Sequence, residues 1–112
     1  MSRDERERLR DIKDAITAIK AHLERAKDTE PEADDQLLHD ALLFQFVVIG
    51  EAVKNLSSQS RESAPEIPWS DIAGLRDLIA HEYFRIEMGR VLEIVGRDLP
   101  PLEQAVDRLL ST

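Results

Sequence analysis

Cysteine is absent from the chain, so neither a disulfide framework nor a thiolate metal site is available. That absence fits a reducing, cytoplasmic setting. Aromatic residues are scarce, at 4% against 42% apolar residues overall, so any core must be assembled from Leu, Ile, Val and Ala, as helices pack them. The few glycines form no phosphate-cradling loop, and no segment alternates apolar and polar residues with period two over a useful length. No internal repeat or low-complexity tract is present. The longest apolar run, Ala41 to Gly50, is interrupted by Gln45 and falls short of the ~20 residues that span a bilayer. The N-terminus, Met1-Ser2-Arg3-Asp4-Glu5-Arg6-Glu7-Arg8, is charged where a signal peptide would be apolar. The expectation is a soluble chain with no membrane partner. Basic charge is also in deficit, with a net charge of −8, which excludes broad non-specific nucleic-acid binding but not a small, locally positive site. Residues 1–30 carry eight basic and eight acidic side chains, whereas residues 31–70 carry two basic and seven acidic ones. A nucleic acid should therefore avoid the segment from Glu32 to Asp40.

What remains is helical periodicity. The 112 residues are expected to form one domain, 1–112. Ser2 and Glu5 have the form of a capping box. Leu9, Ile12, Ile16, Ile19, Leu23 and Ala26 then recur in steps of three and four, predicting a helix over about 4–27. Residues 28–35, with Pro31, read as a loop. A second helix over about 35–56 has little polar surface in its middle and belongs at the centre of a bundle or in a dimer interface. Glu51, near its end, either points to solvent or braces a polar site. Pro65, Pro68 and Trp69 predict a rigid linker, with a short turn near 61–64 and Trp69 anchoring it on the bundle. Further helices are predicted over 70–83, over 86–95 with Met88, Val91, Leu92 and Val95 on one face, and from an Asp98 cap onward with Leu102, Val106, Leu109 and Leu110 inward. The fold class is all-α, an up-and-down bundle of about five helices.

Chemistry-bearing residues concentrate in Gly74-Leu75-Arg76-Asp77-Leu78-Ile79-Ala80-His81-Glu82-Tyr83. Ser70 is read as the N-cap of this helix, and Ile72, Leu75, Leu78 and Ile79 as its apolar face. At about 100° per residue, Arg76 and Tyr83 share one edge of that face, while Asp77 and His81 share the opposite side. Arg76 and His81 stand roughly 140° apart. They meet on one substrate if the arginine reaches over Ala80, or if a second copy of the chain brings its own helix alongside. A histidine near an arginine suits RNA phosphodiester cleavage by the adjacent 2′-hydroxyl. Histidine exchanges protons near neutrality, and arginine holds the phosphate oxygens. Asp77 can hold the His81 ring in one tautomer. The same spacing also fits an exposed Asp77–His81 pair, with Arg76 and Tyr83 covering the core edge. Three scattered histidines, His22, His39 and His81, make no metal site, and no cofactor is expected. His22 and His39 are read as exposed.

Arg76-x-x-x-x-His81-x-Tyr83 resembles the R-x4-H-x-Y motif of HepT-like toxins in the HEPN superfamily. Ile49-Gly50-Glu51-Ala52, Pro65-Glu66-Ile67-Pro68-Trp69 and Arg97-Asp98-Leu99-Pro100 resemble the same proteins, in order, over nearly the whole chain. Asp77 departs from the pattern, standing where such proteins often have asparagine. The resemblance implies a HEPN-like helical-bundle homodimer whose motif helices face a shared cleft. It implies a metal-independent endoribonuclease, the toxin of a type VII toxin–antitoxin system, with Arg76 and His81 catalytic and Asp77 and Glu51 supporting. It further implies an RNA substrate and a minimal nucleotidyltransferase (MNT) antitoxin that adds AMP to Tyr83. The alternative is a non-catalytic module that binds nucleotides or substrate for a partner nucleotidyltransferase.

Overall fold

Leu9, Ile12, Ile16 and Ile19 turn onto one side of the first helix, α1 (Arg3–Ala26), where each is almost wholly buried. Ser2 caps α1 by accepting the Glu5 N–H at 3.1 Å. The reciprocal half of the capping box is diverted. The Glu5 carboxylate instead accepts from the Ser57 N–H and hydroxyl, both at 2.9 Å. Glu5 thereby ties the start of α1 to a junction far along the chain. The computed structural model describes residues 1–28 and 35–112, and the loop expected around Pro31 lies largely outside them.

The second helix, α2 (Asp35–Lys54), is the hub. It packs on α1 and on three later helices, Trp69–Ala73, Leu75–Glu82 and Met88–Arg97. Leu42, Phe46, Ile49 and Val53 form its buried stripe. Over Gln36–Lys54 the helix is long and apolar enough to cross a membrane by length and composition. The short apolar run read from the sequence understates this. Of that stretch, 39% is buried inside the bundle. The last carbonyls of α2, on Val53 and Lys54, accept from Arg61 Nη2 at 2.8 and 3.0 Å, which satisfies a helix end otherwise short of donors.

A short helix, α3 (Ser58–Glu62), starts three residues before the expected turn because Ser57 caps it. Trp69 anchors the linker as expected, donating from Nε1 to the Arg61 and Ala64 carbonyls at 3.0 and 2.9 Å. The predicted helix over 70–83 is divided into α4 (Trp69–Ala73) and α5 (Leu75–Glu82). Gly74 keeps its hydrogen bonds to Ser70 and Leu78 at 3.0 Å, but its ψ of −11° kinks the chain there. Ser70 lies inside α4 rather than capping it, because Pro68 holds the cap position. A 3₁₀ turn, Tyr83–Arg85, follows α5. In α6 (Met88–Arg97) the buried residues are Val91 and Ile94; Leu92, predicted inward, is exposed. In α7 (Leu99–Leu110), Leu102, Val106 and Leu109 are buried as expected. Asp98 holds the N-cap position of α7 but makes no side-chain cap bond, because Pro100 and Pro101 leave the first turn without the N–H donors a cap accepts; its carboxylate takes Arg97 Nε at 3.0 Å instead. The fold is an all-α bundle with no strand among the described residues, and α2 runs beside the helices that carry the motif.

Candidate functional site

Gly50 sets the position of Arg76. A Cβ there would stand 3.1 Å from the Arg76 backbone nitrogen and 3.2 Å from the Ala73 and Ile72 carbonyl oxygens. Only a residue without a side chain lets α2 approach the α4–α5 junction this closely. The next residue, Glu51, then meets the Arg76 side chain, with Arg76 Nε 3.1 Å from Oε2. Glu51 is thus both exposed and paired with Arg76. The pair is about half exposed, so water and salt screen it. Arg8, Val47, Val48 and Asn55 join Glu51 and Arg76 around an open groove of about 410 Å³.

His81 projects from α5 to solvent and makes no hydrogen bond or ion pair among the described residues. The Asp77–His81 contact expected at i,i+4 is not formed. Asp77 turns instead toward Arg76, with Oδ1 3.8 Å from Nη1. His81 does not line the Arg76 groove. One chain therefore presents a guanidinium flanked by two carboxylates and, round the same helix, an exposed imidazole.

Tyr83 leaves the helical register. Glu82, at φ −129° and ψ 21°, ends α5, and Tyr83 opens the 3₁₀ turn. Its hydroxyl donates to Asp40 Oδ1 near the start of α2. Gln36 Nε2 donates to the same Oδ1 at 2.8 Å. The Tyr83 ring stands edge-on to His39 and Phe84, with centroids 6.1 and 5.0 Å away. The bond to Asp40 raises the Tyr83 phenol above its ordinary pKa, and the same bond holds the Asp40 carboxyl below its own. His39 is not exposed as expected: its side chain is 13% accessible, and Nε2–H donates to the Ile86 carbonyl at 2.6 Å. His22 is half-buried, its Nδ1 3.0 Å from Arg25 Nη2. Arg76 and Tyr83 both turn toward α2, although Tyr83 lies past the end of α5. Their partners Glu51 and Asp40 are eleven residues apart on that helix, or about 16 Å at 1.5 Å per residue. Gln36, His39 and Asp40 were missed as site residues. Their i,i+3 and i,i+4 spacing puts them on one side of α2, but nothing local links them to a tyrosine 43 positions away.

Residues 12–109 match the family described as Ribonuclease HepT-like. The chain belongs to the HepT-like ribonuclease family. A Caldanaerobacter subterraneus protein, named provisionally as an RNase, is 38% identical over 91 residues, covering 80% of this chain and 81% of that one. A Thermococcus cleftensis protein, named "Probable ribonuclease HepT", is 31% identical over 109 residues, 97% of this chain and 98% of that one. A Methanocaldococcus jannaschii protein, named for a gamma-glutamylcyclotransferase and provisionally for an RNase, is 30% identical over 108 residues. This HepT-like chain covers 91% of its own length there but 49% of that longer protein. No solved structure matches it significantly.

Proposed function

We propose that this HepT-like chain, acting as one domain over its whole length, is a metal-independent endoribonuclease toxin in which Arg76 of one protomer and His81 of its partner act on one RNA phosphate. The observation that carries the reading is the placement of Arg76 and His81 on one helix in a HepT-like chain, half-exposed and exposed respectively, but directed apart. Arg76 is drawn onto α2 by Glu51, away from His81, so a second chain is the simpler way to complete the pair. Leu37 and Phe44, one above the other on α2 and 69% and 63% exposed, supply apolar surface for that second chain. Their stripe leads through Val48 to Glu51.

In the reaction the 2′-oxygen attacks the adjacent phosphorus and the P–O5′ bond breaks. Arg76 holds the phosphate oxygens as charge develops, and His81 transfers a proton at one of the two sugar oxygens. The products are a 2′,3′-cyclic phosphate and a 5′-hydroxyl. A partner minimal nucleotidyltransferase silences the cytoplasmic toxin by adding AMP to Tyr83, which brings a phosphate and a nucleoside to the edge of the helix carrying Arg76. The test is incubation of purified protein with single-stranded RNA in EDTA, followed by analysis of the product ends. Cyclic-phosphate ends are expected, with cutting abolished in Arg76→Ala and in His81→Ala. Cutting that requires added magnesium, or that survives in both variants, contradicts the reading. The two carboxylates flanking Arg76 favour a second reading, a non-catalytic nucleotide-binding module for a nucleotidyltransferase. That module would bind nucleotide and leave RNA uncut.

A further inference from the structure

Tyr83 is the only tyrosine of the chain, and its hydroxyl proton already points at a base. A free phenol has a pKa of about 10 and is nearly all protonated at neutral pH. It attacks phosphorus well only if the proton leaves as the new bond forms. Asp40 is in hydrogen-bond contact with that proton. Gln36 Nε2 fixes the same carboxylate oxygen at 2.8 Å, and His39 Nδ1 stands 3.4 Å from it. The His39 and Phe84 rings stand edge-on to the phenol. A groove of about 290 Å³, lined by these rings with Gln36, Ile86 and Met88, opens beside the pair. Besides Tyr83 itself, His39 is the titratable group on that lining. The same hydrogen bond raises the phenol pKa and lowers that of the carboxyl, so the proton can leave only as the new bond to phosphorus forms.

We propose that the Asp40 carboxylate is the general base that activates the Tyr83 hydroxyl for attack on a nucleoside triphosphate. The inference rests on the reading that Tyr83 is the modified residue. As Oη bonds to the α-phosphorus, its proton passes to Asp40 Oδ1. The bond from the α-phosphorus to the bridging oxygen breaks, and pyrophosphate leaves with that electron pair. Tyr83 becomes a phosphodiester, and Asp40 returns the proton to water. The toxin itself thus supplies the base for its own silencing.

Two arms separate this inference from the reading beneath it. In the first, an aryl sulfonyl fluoride, which reacts with phenols without any enzyme, labels the full-length protein, and mass spectrometry follows Tyr83. Asp40→Asn keeps the side-chain shape and is checked for folding by circular dichroism. Near pH 7 its labelling should be slower than wild type by at least about tenfold. The deficit should shrink toward about pH 10, where the phenol ionises unaided, and Asp40→Glu should restore part of the rate. Equal rates, or a deficit constant with pH, overturn the inference. In the second arm a minimal nucleotidyltransferase acts with ATP and magnesium. Slower modification of Asp40→Asn than of wild type at Tyr83 supports both ideas. Equal modification of the two overturns the role of Asp40 and leaves the reading intact. Modification of wild type at another residue, with Asp40-dependent sulfonyl labelling, overturns the reading and leaves the activation of Tyr83 standing.

Discussion

At Arg76 the charge proposed to receive a phosphate is already engaged by a carboxylate. Glu51 holds the guanidinium at 3.1 Å, and on the proposed mechanism it yields it to the RNA phosphate. An exposed ion pair of this kind is worth about 0–1 kcal/mol, so the competition is mild. Glu51→Gln in a His81→Ala background, which prevents cutting, should tighten binding of a fluorescent single-stranded RNA by up to about fivefold at low salt. Unchanged or weaker anisotropy-measured affinity contradicts a competing role for Glu51. The Tyr83–Asp40 bond has its own pH signature. The folded-state pKa of Asp40 is lowered, so its contribution is present above the unfolded value of about 3.9 and is lost as pH falls through the folded one. The folded-state pKa of Tyr83 is raised, so its contribution is present below about 10 and is lost as pH rises through the folded one. The difference in melting temperature between wild type and Tyr83→Phe should be largest near neutrality and shrink at both ends. A difference that is constant with pH contradicts the assignment. Arg76, His81 and Tyr83 were legible as candidates because they fall within one local stretch that carries the resemblance. Glu51 was legible only as one of two options, and Asp40 not at all, because each is defined by a partner on another helix.

At the scale of the elements, the contact between α2 and the α4–α5 junction decides where Arg76 sits. Gly50→Ala would place a methyl group 3.1–3.2 Å from three backbone atoms that no side-chain rotation can move. The substitution gains helix propensity, about 0.5–1 kcal/mol. Overpacking costs typically 1–3 kcal/mol, and here backbone has to shift, so we expect net destabilisation. The melting temperature should fall, by roughly 4 °C per kcal/mol lost, and RNA cleavage should fall with it as Arg76 is displaced. A higher melting temperature with full activity contradicts this role of Gly50. Helices α1 and α7 were legible from their three–four periodicity because each offers one continuous stripe to the core. The kink at Gly74 and the turn at Tyr83 were not. The apolar pattern continues through Gly74, and Glu82 leaves the helix where Tyr83 finds Asp40 across the bundle. Asp98 takes the N-cap position as expected, but its side chain makes no cap bond because Pro100 and Pro101 offer no N–H in the first turn.

At the scale of the whole molecule, a net charge of −8 has to coexist with an anionic substrate. Binding should rest on few phosphate contacts, with a plot of log affinity against log salt no steeper than about −2 for single-stranded RNA, at about −0.7 per contact. A much steeper slope would reveal a basic surface that the charge balance excludes. The all-α class was legible because composition and periodicity agree throughout the chain, whereas the pairing of two chains depends on surfaces that no single sequence displays. Light scattering should give twice the 12.8 kDa chain mass. The most direct measurement mixes two inactive variants, Arg76→Ala and His81→Ala, lets their subunits exchange, and assays RNA cleavage in EDTA. A site built from Arg76 of one protomer and His81 of its partner predicts recovery of about a quarter of wild-type activity, because half the dimers are mixed and each mixed dimer keeps one intact site. No recovery from exchanged subunits, alongside an active wild type, would show that each chain carries its own complete site and contradict the account.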